Sequence, residues 1–205
     1  IGISTDKSVS PVNLYGGTKL CLEKLIVLAN DYNGGKLKTC VLRYGNVVGS
    51  RGSVVPLFLK QRENGLITIT DPRMTRFWIT LDQGVSFVLS CLEMMHGGEI
   101  FVPRIPSMRL VDLAKAMAPD LPQRIVGIRP GEKLHEVMIT EDDARNTVRL
   151  DDRFIIEPGF DFWEENRNRI EAAKPVEDGF RYDSERNDEW LDTDSFREMM
   201  EASGR

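Results

Sequence analysis

Two residues near the start of the chain have the types and the spacing needed for proton transfer. Tyr15 and Lys19 form a Y-x-x-x-K pattern, and a spacing of four residues places both side chains on one face of a helix. An ammonium group beside a phenol favours the phenolate and lowers the phenol pKa from its ordinary value of about 10. A tyrosine tuned in this way can take a proton from a sugar hydroxyl while a hydride leaves the carbon. The alternative is an exposed pair of side chains on a helix.

The Y-x-x-x-K pattern lies between two segments that read as buried strands, at residues 1–4 and 39–44. Ser10, followed by a proline, is expected to cap a helix over residues 12–32, which Asn33-Gly34-Gly35 would end. A strand, a helix and a second strand in this order are typical of a parallel α/β sheet. The sequence therefore predicts the α/β class.

Further elements follow along the chain. Helices are predicted over residues 54–64, 80–95, 110–118, 163–173 and 193–202, strands over 67–70, 99–102 and 124–129, and a helical turn over 141–146. Thr80 and Gln83 have the spacing of a capping box, which indicates a helix start at that point.

Composition and cysteine count exclude several classes of protein. Hydrophobic residues make up 41% and charged residues 29% of the chain, as in ordinary globular proteins and unlike collagen-like or disordered ones. Cys21, Cys40 and Cys91 lack a C-x-x-C pair, so we expect small core residues in a reducing cytoplasm rather than disulfides or a zinc site. With two histidines and no apolar run of ~18 residues, neither a metal site nor a membrane span is expected.

Charge is distributed unevenly along the chain. Residues 1–150 contain 19 Lys and Arg against 15 Asp and Glu, a net charge of +4, whereas residues 151–205 contain 8 against 17, a net charge of −9. A mildly basic body suits a phosphate-bearing small molecule better than nucleic acid, which requires a strong basic stripe. The acidic segment is interpreted as a solvated extension.

Five motifs occur in order along residues 1–150. They are S-T-D-K at 4–7, N-L-Y-G-x-T-K at 13–19, R-Y-G-N-V-V-G-S-R at 43–51, D-P-R-M-T-R-F-W at 71–78 and R-P-G-E-K-L-H-E at 129–136. With these motifs the chain resembles the inverting UDP-N-acetylglucosamine 4,6-dehydratases, within the extended branch of the short-chain dehydrogenase/reductases. The resemblance implies the C-terminal part of a Rossmann-like parallel sheet plus a smaller α/β substrate-binding domain.

The resemblance also implies a role for each reacting group. Tyr15 would be the base at the sugar C4 hydroxyl, and Lys19 would hold the nicotinamide ribose and tune Tyr15. Asp6 and Lys7 would divide the acid and base roles in the loss of water across C5 and C6, provided that the lysine is partly neutral. The alternative for Asp6 and Lys7 is a salt bridge in a loop. The implied activity is NADP-dependent 4,6-dehydration of UDP-N-acetylglucosamine with inversion at C5, the first step of pseudaminic acid synthesis.

Two groups of binding residues follow from the same resemblance. The cofactor would contact Ile3, Ser4, Tyr15, Lys19, Val47, Val48, Gly49, Ser50 and Arg51. The nucleotide sugar would contact Asn46, Val54, Thr70, Arg76, Arg129 and Glu132.

Within the second group, Arg129 would bind the diphosphate and Glu132 the ribose, because guanidinium and carboxylate match those groups. Arg76 is a second diphosphate candidate, for which Arg73 competes. The alternatives are an ordinary turn residue for Asn46, a strand residue for Thr70, and a surface ion pair on a structural turn for Arg129 and Glu132. His135 is interpreted as a residue on a helix face.

Part of the family pattern is absent from the chain. No G-x-G-x-x-G phosphate loop occurs, and Ile1 is not a start methionine. We therefore expect the C-terminal part of a longer protein, with the end of the cofactor domain in residues 1–52, mixed cofactor-domain and substrate-domain segments in 53–150, and an acidic extension in 151–205. The expected cofactor is NADP, with NAD possible. The expected partners are UDP-N-acetylglucosamine and further copies of the chain, without nucleic acid or membrane.

Two other functions stay open at this point. The chain could belong to a nucleotide-sugar epimerase or a retaining dehydratase of the same superfamily, or to a module that binds sugar nucleotides without turnover. Membrane-bound retaining relatives typically carry methionine in place of Tyr15, and dTDP-glucose dehydratases carry Asp-Glu in place of Asp6-Lys7. Both differences favour the inverting enzyme, and the presence of all the reacting groups argues against a binding module.

Residues 1–205 alone are expected to bind NADP poorly and to show no turnover, because a cofactor pyrophosphate is gripped by the backbone donors of the glycine-rich loop and by the helix N-terminus that follows it. Isothermal titration of NADP into this chain measures the affinity. A micromolar dissociation constant would contradict the expectation.

Overall fold

The structure is a computed structural model, and it describes residues 1–32, 36–159, 170 and 172–203. The chain forms two compact units that interleave along the sequence. The first consists of Ile1–Tyr44, Phe87–Arg104 and Val137–Tyr182, and the second of Gly45–Ser86, Ile105–Glu136 and Asp183–Arg205. Each unit draws on all three segments of the predicted domain division, and that division into functional domains stays a prediction.

The elements of secondary structure alternate between strands and helices. In chain order they are β1 (Gly2–Thr5), a 3₁₀ helix (Asp6–Ser8), α1 (Leu14–Tyr32), β2 (Val41–Tyr44), β3 (Asn46–Val47), α2 (Val54–Glu63), β4 (Ile67–Ile69), β5 (Thr75–Ile79), α3 (Leu81–Met94), β6 (Ile100–Pro103), β7 (Ser107–Arg109), α4 (Leu110–Met117), β8 (Gln123–Ile125), β9 (Val137–Ile139), α5 (Glu141–Ala144), β10 (Thr147–Arg149), β11 (Arg153–Ile156), β12 (Lys174–Pro175), β13 (Tyr182–Asp183) and α6 (Thr193–Ala202). Within the described part of the chain, none of the helices combines the length and the apolar character that crossing a bilayer requires.

The first unit is built on a sheet with the strand order β1-β2-β6-β11-β10-β12. The first three strands are parallel, and the remaining neighbours pair in antiparallel fashion. Helix α1 packs directly on β1, because a Cβ atom on Gly2 would lie 3.1 Å from Ile26 and 3.2 Å from Leu22. The predicted α/β class with a Rossmann-like parallel sheet is therefore confirmed.

Cysteines contribute to the core of the first unit. Cys40 and Cys91 are fully buried in a cluster with Leu42, Phe101 and Ile155. Burial raises the pKa of both thiols to about 12, so they are inert apolar residues at neutral pH. Cys21 is exposed on α1, and its predicted place in the core was wrong, because it lies on the face of that helix turned to solvent.

The start of α1 differs from the prediction. The side chain of Asn13 accepts a hydrogen bond from the backbone N–H of Gly16 at 2.9 Å, and the helix begins at Leu14. Ser10 has a φ of 45°, whereas an N-cap residue takes an extended conformation. Asn13 is therefore the capping residue, and the prediction of Ser10 was wrong. The predicted helix end at residues 33–35 lies outside the described residues.

The second unit is held by a core around Trp78, which is fully buried and meets the ring of Phe196 edge-on at 5.3 Å between centroids. Strands β3, β5 and β7 form one sheet of this unit, and β4 pairs with β8 in another. Since Phe196 belongs to α6, the C-terminal helix is part of this core rather than a solvated extension.

Other local predictions fared differently. Thr80 and Gln83 exchange the two hydrogen bonds of a capping box at the start of α3, as predicted. The strand predicted over 124–129 ends at Ile125, because Gly127 has a φ of 90° and breaks the extended backbone. The sequence pattern missed β3, β5, β7 and the strands from β9 onward. The helix predicted over 163–173 lies largely outside the described residues.

Gly16 allows α1 to approach the 3₁₀ helix closely. A Cβ atom on Gly16 would overlap the carbonyl oxygen of Lys7, whereas a Cβ on the adjacent Gly17 would meet nothing within 4 Å. Only glycine at position 16 therefore leaves enough room for the backbone of Lys7.

The two glycines are expected to respond oppositely to alanine. Gly16→Ala should destabilise the fold by ~1–3 kcal/mol, the usual effect of overpacking. Gly17→Ala should stabilise it by ~0.5–1 kcal/mol, because alanine favours a helix over glycine. Urea unfolding of the two variants measures the difference, and equal midpoints would contradict the close approach.

Candidate active site

An acidic and a basic side chain meet at the carboxyl end of β1. Lys7 Nζ lies 2.8 Å from Asp6 Oδ1, and the Thr5 hydroxyl donates to the same oxygen at 2.8 Å. The Asp6 side chain is fully buried, while that of Lys7 is 32% exposed. The Lys7 side chain is therefore partly exposed to solvent, while the carboxylate that it contacts is buried. At this distance the two groups can exchange a proton.

The Y-x-x-x-K residues lie on the first two turns of α1. Tyr15 is 53% exposed, and Lys19 Nζ donates to the carbonyl oxygen of Ile3 at 2.9 Å. This bond ties the helix to β1, and the Ile3 side chain beside it is also exposed. Ligands of parallel α/β sheets bind outside the carboxyl ends of the strands. The exposed Tyr15 phenol near that end is accessible to a ligand.

Sequence reasoning missed a buried ion pair behind these groups. Both carboxylate oxygens of Glu23, on α1, accept hydrogen bonds from Arg43 of β2. The distances are 3.1 Å from Nε and 2.6 Å from Nη2. The hydroxyls of Ser4 and Ser8 each approach Glu23 Oε1 to 2.5 Å. Arg43 also donates to the carbonyl oxygen of Met138 at 2.6 Å. We call Glu23, Arg43, Ser4 and Ser8 the Glu23 network.

Burial acts to raise the pKa of the Glu23 carboxyl, but the hydrogen bonds and charge of Arg43, helped by Ser4 and Ser8, outweigh it and leave that pKa lowered. A signal for the network was present in the sequence. Glu23 extends the row of Tyr15 and Lys19 by four more residues, and Arg43 opens the third motif.

Ser4 is placed differently from the other predicted cofactor residues of the first unit. Its side chain is buried, and its hydroxyl donates to Glu23. The Ser4 hydroxyl thus serves the Glu23 network, unlike the exposed side chains of Ile3 and Tyr15.

The predicted cofactor segment of the second unit forms a bend after β3. The backbone N–H of Val48 donates to the carbonyl oxygen of Ile79 at 2.9 Å. Gly49 has a φ of 68°, a backbone conformation that favours glycine. Ser50 and Arg51 are exposed. A cavity of about 240 Å³ is lined by Val47, Val48, Gly49 and Ser50, together with Thr80, Leu81, Asp82, Ala202 and Ser203.

Arg129 and Glu132 lie together on one turn of the second unit. The backbone N–H of Glu132 donates to the carbonyl of Arg129 at 3.1 Å, and Gly131 takes a φ of 84°. Their side chains are 4.0 Å apart, and that of Arg129 is 66% exposed. This guanidinium is therefore accessible to an anionic ligand.

Arg76 has a different environment from Arg129. Its guanidinium is 12% exposed and donates to the carbonyl oxygens of Thr75, Leu134 and Lys133. Glu136 lies 3.6 Å from its Nε. These donors hold the 129–136 motif to β5. Arg73, its competitor, is exposed and pairs with Asp71 at 2.8 Å.

The remaining predicted substrate residues are half-buried. Asn46 pairs with Trp78 in the sheet, Val54 begins α2 and packs on the core, and Thr70 follows β4.

His135 lies in an irregular segment rather than on a helix face, so that interpretation was wrong. Its ring contacts Thr75 Oγ1 at 2.8 Å and Glu185 at 3.5 Å. These polar contacts hold the His135 ring in place within the irregular segment.

Comparison with known proteins agrees with the motifs. A family model described as "Polysaccharide biosynthesis protein" matches residues 1–158. A UDP-N-acetylglucosamine 4,6-dehydratase (inverting) of Campylobacter jejuni is 51% identical over 209 residues, which covers 98% of this chain and 62% of that protein. The chain thus spans less than two thirds of its relative's length.

Solved structures share the fold. Pen from Bacillus thuringiensis is 33% identical with a TM-score of 0.86, over 98% of this chain and 62% of the other. DesIV, a dTDP-glucose 4,6-dehydratase from Streptomyces venezuelae with NAD and TYD bound, is 19% identical with a TM-score of 0.56, over 65% of this chain and 48% of the other. The likeness to DesIV shows the fold alone. The resemblance drawn from the five motifs is confirmed by the Campylobacter jejuni relative, and the chain belongs to the polysaccharide biosynthesis protein family.

Proposed function

We propose that the natural protein containing this chain removes water from UDP-N-acetylglucosamine across C5 and C6 and inverts C5. The product would be a UDP-4-keto-6-deoxy-L-arabino-hexosamine. The observation that carries the proposal is the Asp6–Lys7 pair at the carboxyl end of β1, with a contact of 2.8 Å and a buried carboxylate. Similarity to the Campylobacter jejuni dehydratase supports the same activity.

Tyr15 acts first in the proposed mechanism. A nicotinamide cofactor, when bound, would supply the redox chemistry at C4 and C6, with a hydride leaving C4 and returning to C6. The Tyr15 phenol is accessible and takes the proton of the C4 hydroxyl. Lys19, fixed on the Ile3 carbonyl, orients the cofactor ribose and supplies the positive charge that favours phenolate.

Asp6 and Lys7 carry the elimination. A ketone at C4 acidifies the hydrogen at C5, and Lys7 in its neutral form removes that proton. The C5–H and C6–O bonds break, a C5–C6 double bond forms, and the C6 hydroxyl takes a proton from the Asp6–Lys7 pair and leaves as water. With a hydride returned to C6, C5 takes up a proton of solvent origin on the opposite face, which inverts that carbon and completes the product. The short contact between the two side chains allows them to exchange the proton.

The proposed substrate contacts come from residues of the later motifs and their neighbours. Arg129 is exposed on its turn and is assigned to the diphosphate, with Glu132 on the ribose. Asn46, Val54 and Thr70 are assigned to the rest of the nucleotide sugar. For Arg76, the occupied donors favour support of the turn over a direct bond to the diphosphate.

Several finer assignments belong to the same proposal. The cofactor is NADP, with NAD possible, and it contacts Ile3, Ser4 and the segment from Val47 to Arg51. The DesIV enzyme, which shares the fold, binds NAD. The protein acts in the cytoplasm as a homo-oligomer, and its product enters pseudaminic acid synthesis.

Lys7→Ala in the natural protein should spare oxidation at C4 and block elimination, because Tyr15 serves the first half-reaction and Lys7 the second. Loss of a general acid–base group costs ~10²–10⁴ in rate. Incubation with UDP-N-acetylglucosamine in deuterated water, followed by NMR and mass spectrometry, measures product and deuterium at C5. Both should fall together.

Lys24→Ala, at an exposed lysine of α1, is the matched control and should behave as the unaltered protein. Normal 4-keto-6-deoxy product with deuterium at C5 from the Lys7→Ala variant would remove Lys7 from the mechanism. Epimerised sugar without loss of water, from the unaltered protein, would replace the dehydratase proposal with an epimerase.

Arg129→Ala should weaken binding of the nucleotide sugar and leave NADP affinity nearly unchanged. A charge-assisted hydrogen bond contributes roughly 1.5–3 kcal/mol, which corresponds to about 10- to 150-fold in affinity. Calorimetry with both ligands measures the effect, and Arg124→Ala, at an exposed arginine of β8, is the control. Equal losses for both ligands would indicate general destabilisation instead.

A further inference from the structure

Two members of the Glu23 network, Ser4 and Ser8, flank the Asp6–Lys7 pair in the sequence. Ser4 precedes the pair by two residues and Ser8 follows it directly, and both hydroxyls lie 2.5 Å from Glu23 Oε1. All members of the network are buried. The backbone that carries the proposed acid and base is thus attached to one carboxylate on both sides.

Stability alone does not account for this arrangement. A buried ion pair can often be replaced by apolar residues without loss of stability, since desolvation offsets the attraction of the charges. Glu23 also accepts hydrogen bonds from the two serines, and Arg43 donates to the Met138 carbonyl and lies 3.5 Å from Asp143. The ion pair therefore does more than contribute to the stability of the fold. It fixes the position of the segment between Ser4 and Ser8.

Glu23 also shares a helix with Tyr15, the proposed base of the oxidation at C4. Tyr15, Lys19 and Glu23 follow each other at intervals of four residues on α1, so they lie in one row along its surface. The carboxylate thereby connects the helix that bears Tyr15 to the turn that bears Lys7. These two groups must reach adjacent carbons of one sugar ring, C4 and C5, and a misplacement of about 1 Å can reduce a rate 10²-fold.

We infer that Glu23 is a positioning residue, which holds the Asp6–Lys7 turn against α1 through the Ser8 hydroxyl and so sets the rate of elimination. The inference rests on the proposed function, and it adds a residue outside the five motifs to the machinery. The Ser8 oxygen also lies 2.7 Å from the carbonyl oxygen of Thr5, so its single proton is shared between that carbonyl and the nearer Glu23 carboxylate.

Ser8→Ala in the natural protein is the decisive variant. Glu23→Gln would remove the charge of the nearer of two carboxylates beside the buried Arg43 guanidinium, which lies 2.6 Å from Glu23 and 3.5 Å from Asp143, whereas Ser8→Ala removes a single hydroxyl. The control is Ser90→Ala, because the Ser90 hydroxyl donates to the backbone carbonyl of Phe87 and accepts a hydrogen bond from Arg153. Both variants should have similar melting temperatures.

Ser8→Ala is expected to lower kcat for dehydration about 10- to 100-fold with KM for UDP-N-acetylglucosamine unchanged. Deuterium incorporation at C5 should fall by the same factor, while oxidation at C4 in a single turnover is retained. A second readout does not depend on activity. Amide hydrogen exchange in a peptide over residues 1–13 should be faster by about fivefold, the factor that one hydrogen bond contributes to local opening.

Three results would count against the inference. Ser8→Ala could match Ser90→Ala in both rate and exchange, or it could lose both half-reactions equally, as a general structural defect would. If the unaltered protein forms no 4-keto-6-deoxy product, the proposed function fails by itself. Amide exchange then decides the inference alone, and unchanged exchange over residues 1–13 would overturn it.

Discussion

The ion pair between Glu23 and Arg43 joins every element that carries a proposed reacting group. Glu23 belongs to α1 and Arg43 to β2, and the serines bonded to Glu23 lie in β1 and the 3₁₀ helix. Ser4 and Arg43 are opposite each other in the parallel register, so both can reach one carboxylate. Because the pKa of Glu23 is lowered in the fold, its contribution is complete at neutral pH. It is lost only as the pH falls below the ordinary value of 4.5 toward the folded pKa.

Close packing complements this polar centre. Gly16 leaves the space that the Lys7 carbonyl occupies, and Gly2 leaves space for Ile26 and Leu22 of α1. Lys19 adds a third tie through the Ile3 carbonyl. The helix that presents Tyr15 therefore meets the strand that leads to Asp6 through contacts that each depend on a particular residue type. This dependence explains why Gly16 stands within the Tyr15 motif.

The second unit shows how one residue type serves two purposes. Arg76 and Arg129 belong to neighbouring motifs, but Arg76 is enclosed by carbonyl oxygens while Arg129 is open to solvent. The enclosed guanidinium holds the segment from Lys133 to Glu136 on β5, and the open one is free to meet an anion. A sequence motif specifies both arginines equally, and burial distinguishes their roles.

Sequence by itself determined the features that depend on near neighbours along the chain. The α/β alternation, the Thr80–Gln83 capping box and the turn between Arg129 and Glu132 follow from local spacing, and the motifs indicated the family. Tertiary structure decided the rest. Asn13 replaced Ser10 as the cap because of backbone conformation, Cys21 was left on the solvent side of α1, and His135 took up contacts with Thr75 and Glu185. Glu23 and Arg43 are 20 residues apart, and only the pairing of β1 with β2 beneath α1 brings their charges together, since a buried charge must find its partner in space.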